Sequence, residues 1–487
     1  MKKTLLIKYC FLISIVFLFI FSLCGCKKDD LSIFKNKEVV GNLKTGIYEG
    51  KKYLIGCNFK KGNTVNITDD LGVEIIYRKA FNYKIPKSYD GIGDYHFIFE
   101  SFTLSKTVKE IEDVAQSIKI ENFYYDGTIS DLCSIDHGGY IDTIFERCTN
   151  IYILDSNGNV SHDWKTYKLM EDIIIPSDVN VIKKRAFSYN RQIKNVILEE
   201  GVTKIEDYAF MGCDSLRTFE MPDSVIEVGH SAFNMCSKLR TINLSDKITT
   251  ISGSLFYRCS RISEITIPSG VKEIQMSAFC GCDRLKSIEL PDGIEIIEDE
   301  AFAGCNRLNS ITLPASLKKL GSNALPKIDY VGQIVIPAGV TEIVRAAFDG
   351  NNENGSIVLL GKQMKIDRCA FMNVRKISYI VLPDETEDIY LEFLDYTTID
   401  YLVLSKDIEE MNVEMIDGKG TINHVCYTGT QEEWNNVKFY TTEYSGSKIE
   451  YCQNPDVKVY FYSETEPADS KTDYWHYVNG KPSLWSE

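Results

Sequence analysis

Apolar residues recur along this chain with a period of 23 positions. One marker is the aromatic residue of an Ala-Phe pair, repeated at Phe187, Phe210, Phe233, Phe256, Phe279, Phe302, Phe348 and Phe371, with Leu325 at the remaining step. A second marker is an Ile-x-Leu-like segment, as at 242–244, 265–267, 288–290, 311–313, 334–336, 357–359 and 380–382. Self-similarity at a fixed spacing of this length is typical of stacked structural repeats.

Each Ile-x-Leu segment predicts a short β-strand, because residues two apart in a strand point to the same face. The proline that follows in several repeats, such as Pro268, ends the strand since it has no N–H to donate. A second apolar pair, such as Val271 with Ile274, then leads to the next Ala-Phe. No single repeat can bury this much apolar surface, so the repeats must stack into a parallel sheet. About ten strands ~4.8 Å apart predict a sheet on the order of 45 Å long.

The repeat resembles the BspA-type leucine-rich repeats of bacterial surface proteins. One matching copy reads Ile-Thr-Ile-Pro-Ser-Gly-Val-Lys-Glu-Ile over 265–274, followed by Ser-Ala-Phe over 277–279 and Gly-Cys over 281–282. The resemblance is close over residues 173–390 and weaker upstream, where Val73, Ile76, Ala80 and Phe81 fit one repeat and Leu104, Val108 and Ile111 another. It implies an α/β-type repeat solenoid: a leucine-rich-repeat array with one short parallel strand per repeat, capped by mixed modules at both ends.

A second motif occurs twice and resembles the YxGTxxxW insert of the same family. Its copies begin at Tyr125 and at Tyr427, the second reading Tyr427-Thr428-Gly429-Thr430 with Trp434 four residues later. In the first copy Leu132 takes the place of the tryptophan. The module is either a distinct contact site or a turn plus helix that covers an end of the solenoid, and we favour the second interpretation. Segments 459–463 and 474–481 predict a closing hairpin with Asn479-Gly480 as its turn.

The N-terminal segment predicts a membrane-targeting signal. Lys2, Lys3 and Lys8 precede an apolar run over 9–23, which is short for a spanning helix. Leu-Cys-Gly-Cys at 23–26 resembles a bacterial lipobox, which implies lipidation of Cys26 and removal of residues 1–25. An ordinary secretory signal or a short membrane anchor is the alternative. The predicted location is therefore outside the cytoplasm, lipid-anchored to a bacterial membrane and exposed at the cell surface.

These features divide the chain into five predicted segments. They are a lipoprotein signal peptide (1–25), a tether and N-terminal segment (26–72), degenerate repeats with the first YxGT module (73–172), the regular array (173–408), and the second YxGT module with a capping hairpin (409–487).

Five of the fifteen cysteines share the 23-residue period, at Cys213, Cys236, Cys259, Cys282 and Cys305. This spacing predicts a stacked column of reduced thiols in the interior, since free cysteine behaves as a small buried hydrophobe. Zinc sites instead use clustered Cys-x2-4-Cys pairs with nearby histidine. An occasional disulfide between neighbouring repeats stays open as an alternative.

Candidate chemistry is sparse. The six histidines lie in no catalytic or metal-binding spacing, and adjacency of Ser161, His162 and Asp163 says little about a triad. The loop over 155–159 has its glycine at the wrong position for calcium. The net charge of −15 argues against a nucleic-acid partner, and the scattered Lys and Arg indicate a solvated face. We therefore expect no enzyme activity, no cofactor and no metal site.

The remaining function class is binding. The outward residues of the predicted sheet form the candidate binding face: Thr218, Glu220, Thr241, Asn243, Glu264, Thr266, Ser287, Glu289, Ser310 and Thr312. This face is poor in Tyr, Trp and Arg, the usual hot-spot residues, and becomes apolar at Val335, Val358 and Val381. The resemblance implies attachment to host extracellular proteins or to other cells. We expect a monomer that binds an extracellular or surface protein, with Tyr427, Gly429, Thr430 and Trp434 as a candidate second contact module. A structural spacer without a tight ligand is the alternative.

Overall fold

The computed structural model describes residues 35–40, 43–48, 51–57, 64–67, 71, 73, 75–76, 97–111, 118–137, 145, 148–154, 167–326, 332–348, 355–361, 365–367, 370–371, 374–382, 397–412, 421–442, 448–452, 458–467, 473–479 and 481–485. The chain divides into two compact units, Met1–Met170 and Glu171–Glu487. Cys26, the Ala80-Phe81 pair, the loop at 155–159 and the segment 161–163 lie outside the described residues.

The first unit is built from two stacks of strands. Its elements are β1 (Lys35–Val40), β2 (Leu43–Tyr48), β3 (Lys51–Cys57), β4 (Thr64–Ile67), β5 (Ile75–Ile76), β6 (Phe97–Ser105), β7 (Glu110–Ile111), β8 (Ile118–Asp126), α1 (Ile129–Cys133), β9 (Asp136–His137), β10 (Cys148–Leu154) and β11 (Tyr167–Leu169). One sheet runs β1-β2-β3-β5-β7-β9 and the other β11-β10-β8-β6-β4. The strands from β3 to β9 and from β4 to β10 pair in parallel, which is the arrangement of stacked repeats.

The N-terminal edge of this unit departs from the repeat pattern. Strands β1, β2 and β3 pair antiparallel, as two successive hairpins placed before the parallel β5. The sequence in this region predicts only a tether and an N-terminal segment. The hairpins close one side of the parallel sheet, and this covers strand edges that would otherwise be exposed.

The second unit carries the regular array. Its elements are β12 (Asp172–Ile175), β13 (Val181–Ile182), β14 (Asn195–Leu198), β15 (Lys204–Ile205), β16 (Thr218–Glu220), β17 (Glu227–Val228), β18 (Thr241–Asn243), β19 (Thr250–Ile251), β20 (Glu273–Ile274), β21 (Ser287–Ile288), β22 (Ile296–Ile297), β23 (Ser310–Ile311), β24 (Lys319–Leu320), β25 (Gln333–Ile336), β26 (Glu342–Ile343), β27 (Gly355–Leu359), β28 (Lys365–Ile366), β29 (Lys376–Val381), β30 (Thr398–Leu404), β31 (Glu410–Asn412), β32 (Thr421–Tyr427), α2 (Gln431–Trp434), β33 (Lys438–Thr442), β34 (Lys448–Cys452), β35 (Val459–Tyr462), β36 (Tyr474–Val478) and β37 (Lys481–Leu484).

The predicted parallel sheet with one strand per repeat is confirmed. Val196 pairs with Phe219, and Phe219 with Ile242, each 23 residues further along the chain. The second apolar pair of each repeat adds something that the sequence did not predict, a second column of two-residue strands in which Ile182 pairs with Ile205. The structure is thus a β-solenoid with little helix, in which most described repeats, or rungs, contribute a strand to both columns. The rung at 264–267 contributes to the first column only an isolated bridge between Thr266 and Glu289.

The core of the array consists of stacked identical side chains. Phe187, Phe210 and Phe233 are fully buried, and their ring centroids lie 5.0 and 5.5 Å apart with nearly parallel planes. The stack continues through Phe256, Phe279 and Phe302. The backbone N–H of Phe210 donates to the carbonyl of Ala232 on the next rung at 2.8 Å. The Ala-Phe pair therefore supplies both the core side chain and a hydrogen bond between rungs.

The cysteine column is confirmed as a set of free, buried thiols at Cys213, Cys236, Cys259, Cys282 and Cys305. Each thiol donates to the carbonyl of the phenylalanine 26 residues earlier, at 3.1–3.3 Å. Burial raises the pKa of Cys213, Cys259 and Cys282 well above the ordinary thiol value, and that of Cys305 to about 12. Cys213, Cys259, Cys282 and Cys305 are therefore neutral thiols, and the column links successive rungs through hydrogen bonds.

Two turns of each repeat require a left-handed backbone. The residue before the Ala-Phe pair has φ between 50° and 60° at Arg185, Tyr208, Ser231, Ser254, Ser277, Glu300, Asn323 and Ala346. The second residue after the phenylalanine also has a positive φ, between 57° and 76°, at Tyr189, Gly212, Met235, Arg258, Gly281 and Gly304. Non-glycine residues adopt this conformation at a cost, so the stacking of the rungs enforces it.

Candidate functional site

The predicted binding face lies on the outer side of the first strand column, whose strands are grouped here as β12-β14-β16-β18 and β21-β23. Within it Glu220, Thr241, Asn243, Glu264, Thr266, Ser287, Glu289 and Thr312 are exposed, while Thr218 is half-buried. Ser310 begins β23 and lies in register with Ser287. The strands place these residues outward because the alternate positions, such as Phe219 and Ile242, fill the core.

Rung-to-rung hydrogen bonds organise one end of this face. Thr218 Oγ1 donates to Asn195 Oδ1 at 2.7 Å, and Asn195 Nδ2 donates to Asp172 Oδ1 at 2.6 Å. The three polar side chains form a ladder across β12, β14 and β16, which accounts for the partial burial of Thr218. Such a ladder fixes the side chains in place before any ligand arrives.

A groove crosses the middle of the face. It encloses about 540 Å³ and is lined by Glu264, Thr266, Ser287 and Glu289, together with Ile265, Ile267, Leu290, Pro291 and Asp292. Thr266 and Glu289 form a parallel bridge between neighbouring rungs, so the groove follows the spacing of the strands. Three carboxylates give it negative charge, and the apolar residues provide its floor. The groove can accept an extended segment that carries positive charge.

The second YxGT module is a folded turn whose key side chains are buried. The ring of Tyr427 covers Gly429, where a Cβ would come within 2.6 Å of the ring. Thr430 is the N-cap of α2: its Oγ1 accepts from Glu433 N at 3.2 Å, and Glu433 Oε2 accepts from Thr430 N at 2.7 Å. This reciprocal pair is a capping box. Trp434 is 2% exposed and packs edge-on against Tyr427.

The first module repeats this geometry. Thr128 caps α1 with Asp131 as its reciprocal partner, and a Cβ on Gly127 would come within 2.7 Å of the Tyr125 ring. Leu132 occupies the position of Trp434 and is equally buried. The modules therefore act as turns with helix caps. The first module leads into β9, the last strand of its sheet, and the second leads into β33, which pairs with β31.

A region that sequence reasoning missed lies further along the same column of strands. Tyr401 and His424 are half-buried neighbours with ring centroids 4.8 Å apart, and Tyr460 meets His424 edge-on at 5.5 Å. Strands β30 and β32 have seven residues each and are longer than those of the array, and the step from β32 to β35 departs from the 23-residue spacing.

The C-terminal strands explain why the face becomes apolar. Trp475, Leu484, Val403 and Cys426 form a small buried cluster, here called the hairpin core, and Val381 packs against it. Trp475 Nε1 donates to the carbonyl oxygen of Tyr427 at 3.1 Å. The hairpin itself consists of antiparallel β36 and β37, with Asn479 at φ 51° in its turn, whereas the predicted arm at 459–463 forms β35 and is not part of the hairpin. Its parallel pairing to β35 makes it part of the long sheet.

Within the part of the chain that the structure describes, no three His, Cys, Asp or Glu side chains converge as metal ligands. Within that same part, none of the helices has the length and apolar character needed to cross a bilayer.

Comparison with known proteins places these observations in a family. The model of the BspA type leucine rich repeat region matches in six copies, over residues 164–286, 272–400 and 330–445, which together span more than half of the chain. A search of curated proteins returned no match.

Several solved structures are similar in part. The pneumococcal vaccine antigen PcpA is 14% identical with a TM-score of 0.44, covering 80% of this chain and 98% of its own. A leucine-rich cell surface protein from Faecalibacterium prausnitzii A2-165 is 16% identical with a TM-score of 0.30, covering 83% of this chain and 97% of its own. A leucine-rich repeat protein from Bacteroides ovatus ATCC 8483 is 19% identical with a TM-score of 0.38, covering 83% and 100%. On the family match, together with the 23-residue rungs and their Ala-Phe core, the chain belongs to the BspA-type leucine-rich-repeat proteins.

Proposed function

We propose that this chain is a surface-displayed protein-binding module that attaches to an extracellular protein through the outer face of its first strand column. The observation that carries the proposal is the acidic groove lined by Glu264, Thr266, Ser287 and Glu289. Membership of a repeat family supports it, since stacked repeats provide extended binding surfaces without a catalytic centre. We accordingly infer binding, and no enzyme activity.

The negative charge of the groove favours a partner that carries positive charge. Glu264 and Glu289 are exposed carboxylates on adjacent parts of the face, and Glu220 extends the negative charge two rungs further. A protein ligand that presents an extended basic segment is complementary to this pattern. Because exposed charges are screened over ~8 Å at physiological ionic strength, attachment should weaken as salt is added.

The test is a triple substitution of the acidic residues, Glu220→Lys, Glu264→Lys and Glu289→Lys. All three side chains point away from the core, so the fold should survive, as circular dichroism would verify. Binding of the purified chain to a panel of extracellular matrix proteins should fall by roughly tenfold or more. A matched control is Glu200→Lys, Asp246→Lys and Glu409→Lys, which changes the same charge at exposed positions elsewhere. Equal binding by the two variants contradicts the proposed face.

The anchor is part of the proposal. Leu23, Gly25 and Cys26 form the lipobox-like sequence, and the polar residues 27–30 follow as a spacer. A lipid on Cys26 would hold the chain at a bacterial membrane with the solenoid outside. Cys26→Ala should release the protein from the membrane fraction and abolish metabolic labelling with palmitate. Membrane association of the wild type without labelling would contradict lipidation.

A structural spacer is the second candidate function. The short side chains Thr241, Thr266, Ser287 and Thr312 dominate the face, and residues of this size rarely dominate binding energy. If the wild-type chain binds none of the matrix proteins at low salt, the spacer role is favoured.

A further inference from the structure

The sequence scatters Lys and Arg singly along the repeats, which favours the interpretation of a solvated face, but the solenoid gathers seven of them into one band. We name this band the cationic stripe, and it consists of Arg217, Lys238, Arg240, Arg261, Arg284, Lys286 and Arg307. These residues flank the buried Leu or Ile that precedes each first-column strand. Backbone hydrogen bonds between rungs, such as Arg240 N to the carbonyl of Arg217 at 2.9 Å, place the positions above one another.

The first three rungs of the stripe surround a partly open pocket. Arg217, Lys238, Arg240 and Arg261 line a pocket of about 250 Å³, and no other residue contributes to its lining among those described. The four cations come from three consecutive rungs. Like charges that face each other on neighbouring strands destabilise a sheet, so this arrangement costs free energy in the absence of a ligand.

Other charged columns of the array show how the same fold neutralises such contacts. Lys204 pairs with Glu227 at 2.7 Å and Lys318 with Glu295 at 2.6 Å, each on an adjacent rung. Lys194, one rung before Arg217 in the same column, pairs with Glu171 at 2.8 Å. By contrast, within the described part of the chain no residue of the stripe forms an ion pair. The stripe therefore differs from an ordinary solvated face in stacking like charge on like charge.

Carboxylates that adjoin the stripe positions in the sequence contact other residues. Asp214 is engaged with Arg191 and Ser237, and Asp283 accepts from Asn306 Nδ2 at 3.0 Å. On the opposite flank, Glu264 lines the separate acidic groove. The stripe is thus a narrow positive band between two negative borders, on a chain whose net charge is −15.

We propose that the cationic stripe binds a linear sulfated polysaccharide, with one sulfate group seated in the pocket of Arg217, Lys238, Arg240 and Arg261. The stripe crosses five rungs, a length of ~19 Å, and repeats its charge at the rung spacing. Guanidinium forks offer paired N–H donors to the oxygens of such anionic groups. A linear chain with regularly spaced charges matches both the length and the narrow width.

Two other polyanions fit less well. An anionic membrane is planar, so binding it through the stripe would also bring Asp214, Asp283 and Glu264 close to its negative surface. The like charges would then repel each other. Single-stranded nucleic acid relies on aromatic platforms on which the bases stack, and the stripe positions hold none. Both are outcomes of the test.

The experiment measures binding of the purified full-length chain to heparin by isothermal titration calorimetry across a range of salt concentrations. Heparin should bind with an affinity that falls steeply with salt, as polyelectrolyte contacts do. The variant Arg240→Gln, Arg261→Gln and Arg284→Gln should lose roughly tenfold or more in affinity. The matched control Lys247→Gln, Lys319→Gln and Lys365→Gln removes the same charge from exposed positions of the second column and its turns, and should bind like the wild type.

Three results would overturn the proposal. They are equal heparin affinity in the stripe variant and the wild type, an equal loss in the control variant, and equal binding of chemically desulfated heparin. Tighter binding of single-stranded DNA, polyphosphate or anionic vesicles than of heparin overturns the assignment to a sulfated glycan. The inference is independent of the acidic-face proposal, since Glu220→Lys, Glu264→Lys and Glu289→Lys should leave heparin binding intact or strengthen it.

Discussion

The regular array over 173–326 and the C-terminal region over 397–485 both stack parallel strands, but they build their cores differently. In the array, each buried Phe contacts the same residue one rung away, as Phe256 does with Phe233 and Phe279 at 6.0 and 5.4 Å. In the C-terminal region, Trp475 donates to the carbonyl of Tyr427, 48 residues earlier, and no repeat unit predicts that contact. A periodic core couples every rung to its neighbours, whereas the hairpin core joins one set of strands only.

The largest expected effect is in the middle of the array. Phe256→Ala should lower the free energy of unfolding by about 3–5 kcal/mol, because the buried ring leaves a cavity between two stacked neighbours. Because each rung of a solenoid is stabilised by its neighbours, the substitution should also weaken the coupling between the rungs on either side, so that they unfold more independently. Urea unfolding and hydrogen exchange of the array would measure both effects. Tyr257→Ala, at the adjacent half-buried position, is the control and should cost far less.

The corresponding change in the C-terminal region is Trp475→Ala. It removes a fully buried indole and leaves the carbonyl of Tyr427 without its donor, so the local cost should also be about 3–5 kcal/mol. We expect hydrogen exchange to rise in β32, β35, β36 and β37 while protection of the array is unchanged. Loss of protection across residues 173–326 would show that the two regions unfold as one and that the comparison is mistaken.

The same contrast decides what the sequence could predict. The 23-residue spacing is enough to place Phe210 and Ile242 inside, to put Glu220 and Thr241 outside, and to stack the five cysteines. Each of these follows from periodicity and alternation alone. The hairpin core could not be placed this way, since burial of Val403 and Cys426 depends on which later segment reaches them.

The residues of the cationic stripe can be found in the sequence, but their 23-residue spacing makes them difficult to recognise as one group. Arg261, Arg284 and Arg307 are far apart in the chain and look like isolated surface charges. Their column becomes visible when charged residues are aligned on the repeat as the apolar residues are. The left-handed turns are harder to predict, because Tyr208 and Ser231 carry no local preference for positive φ.

The next effect concerns the thiol column, which the C-terminal region lacks. Because burial raises the folded-state pKa of Cys213, Cys259, Cys282 and Cys305, the unfolded state ionises first as pH rises. Stability is therefore complete below the ordinary thiol pKa near 9 and is lost as pH rises toward 12. The fall should reach about 1.4 kcal/mol per thiol per pH unit.

Urea unfolding between pH 8 and pH 10.5 measures this slope. Cys259→Ala should be less stable than the wild type at pH 7 and yet lose stability less steeply above pH 9, by one thiol's contribution. Alkylation of the native chain at pH 8 should leave the column unmodified, and denaturation should make all five of its cysteines reactive. An unchanged slope in Cys259→Ala would show that the alkaline transition has another origin.

The smallest expected effect lies in the turns. Met235 is 37% exposed and adopts φ 62°, in the column where Gly212, Gly281 and Gly304 hold the same conformation on other rungs. A side chain in this region costs roughly 1–2 kcal/mol, partly offset by the greater chain entropy of glycine when unfolded. Met235→Gly should therefore raise the free energy of unfolding by up to ~1 kcal/mol, and Gly281→Ala should lower it by a similar amount.

The C-terminal counterpart is Asn479, at φ 51° in the hairpin turn, where asparagine is already favoured. Asn479→Gly should change stability by less than ~0.5 kcal/mol, and a larger gain there than at Met235 would mean that the stack relieves the strain of its own turns.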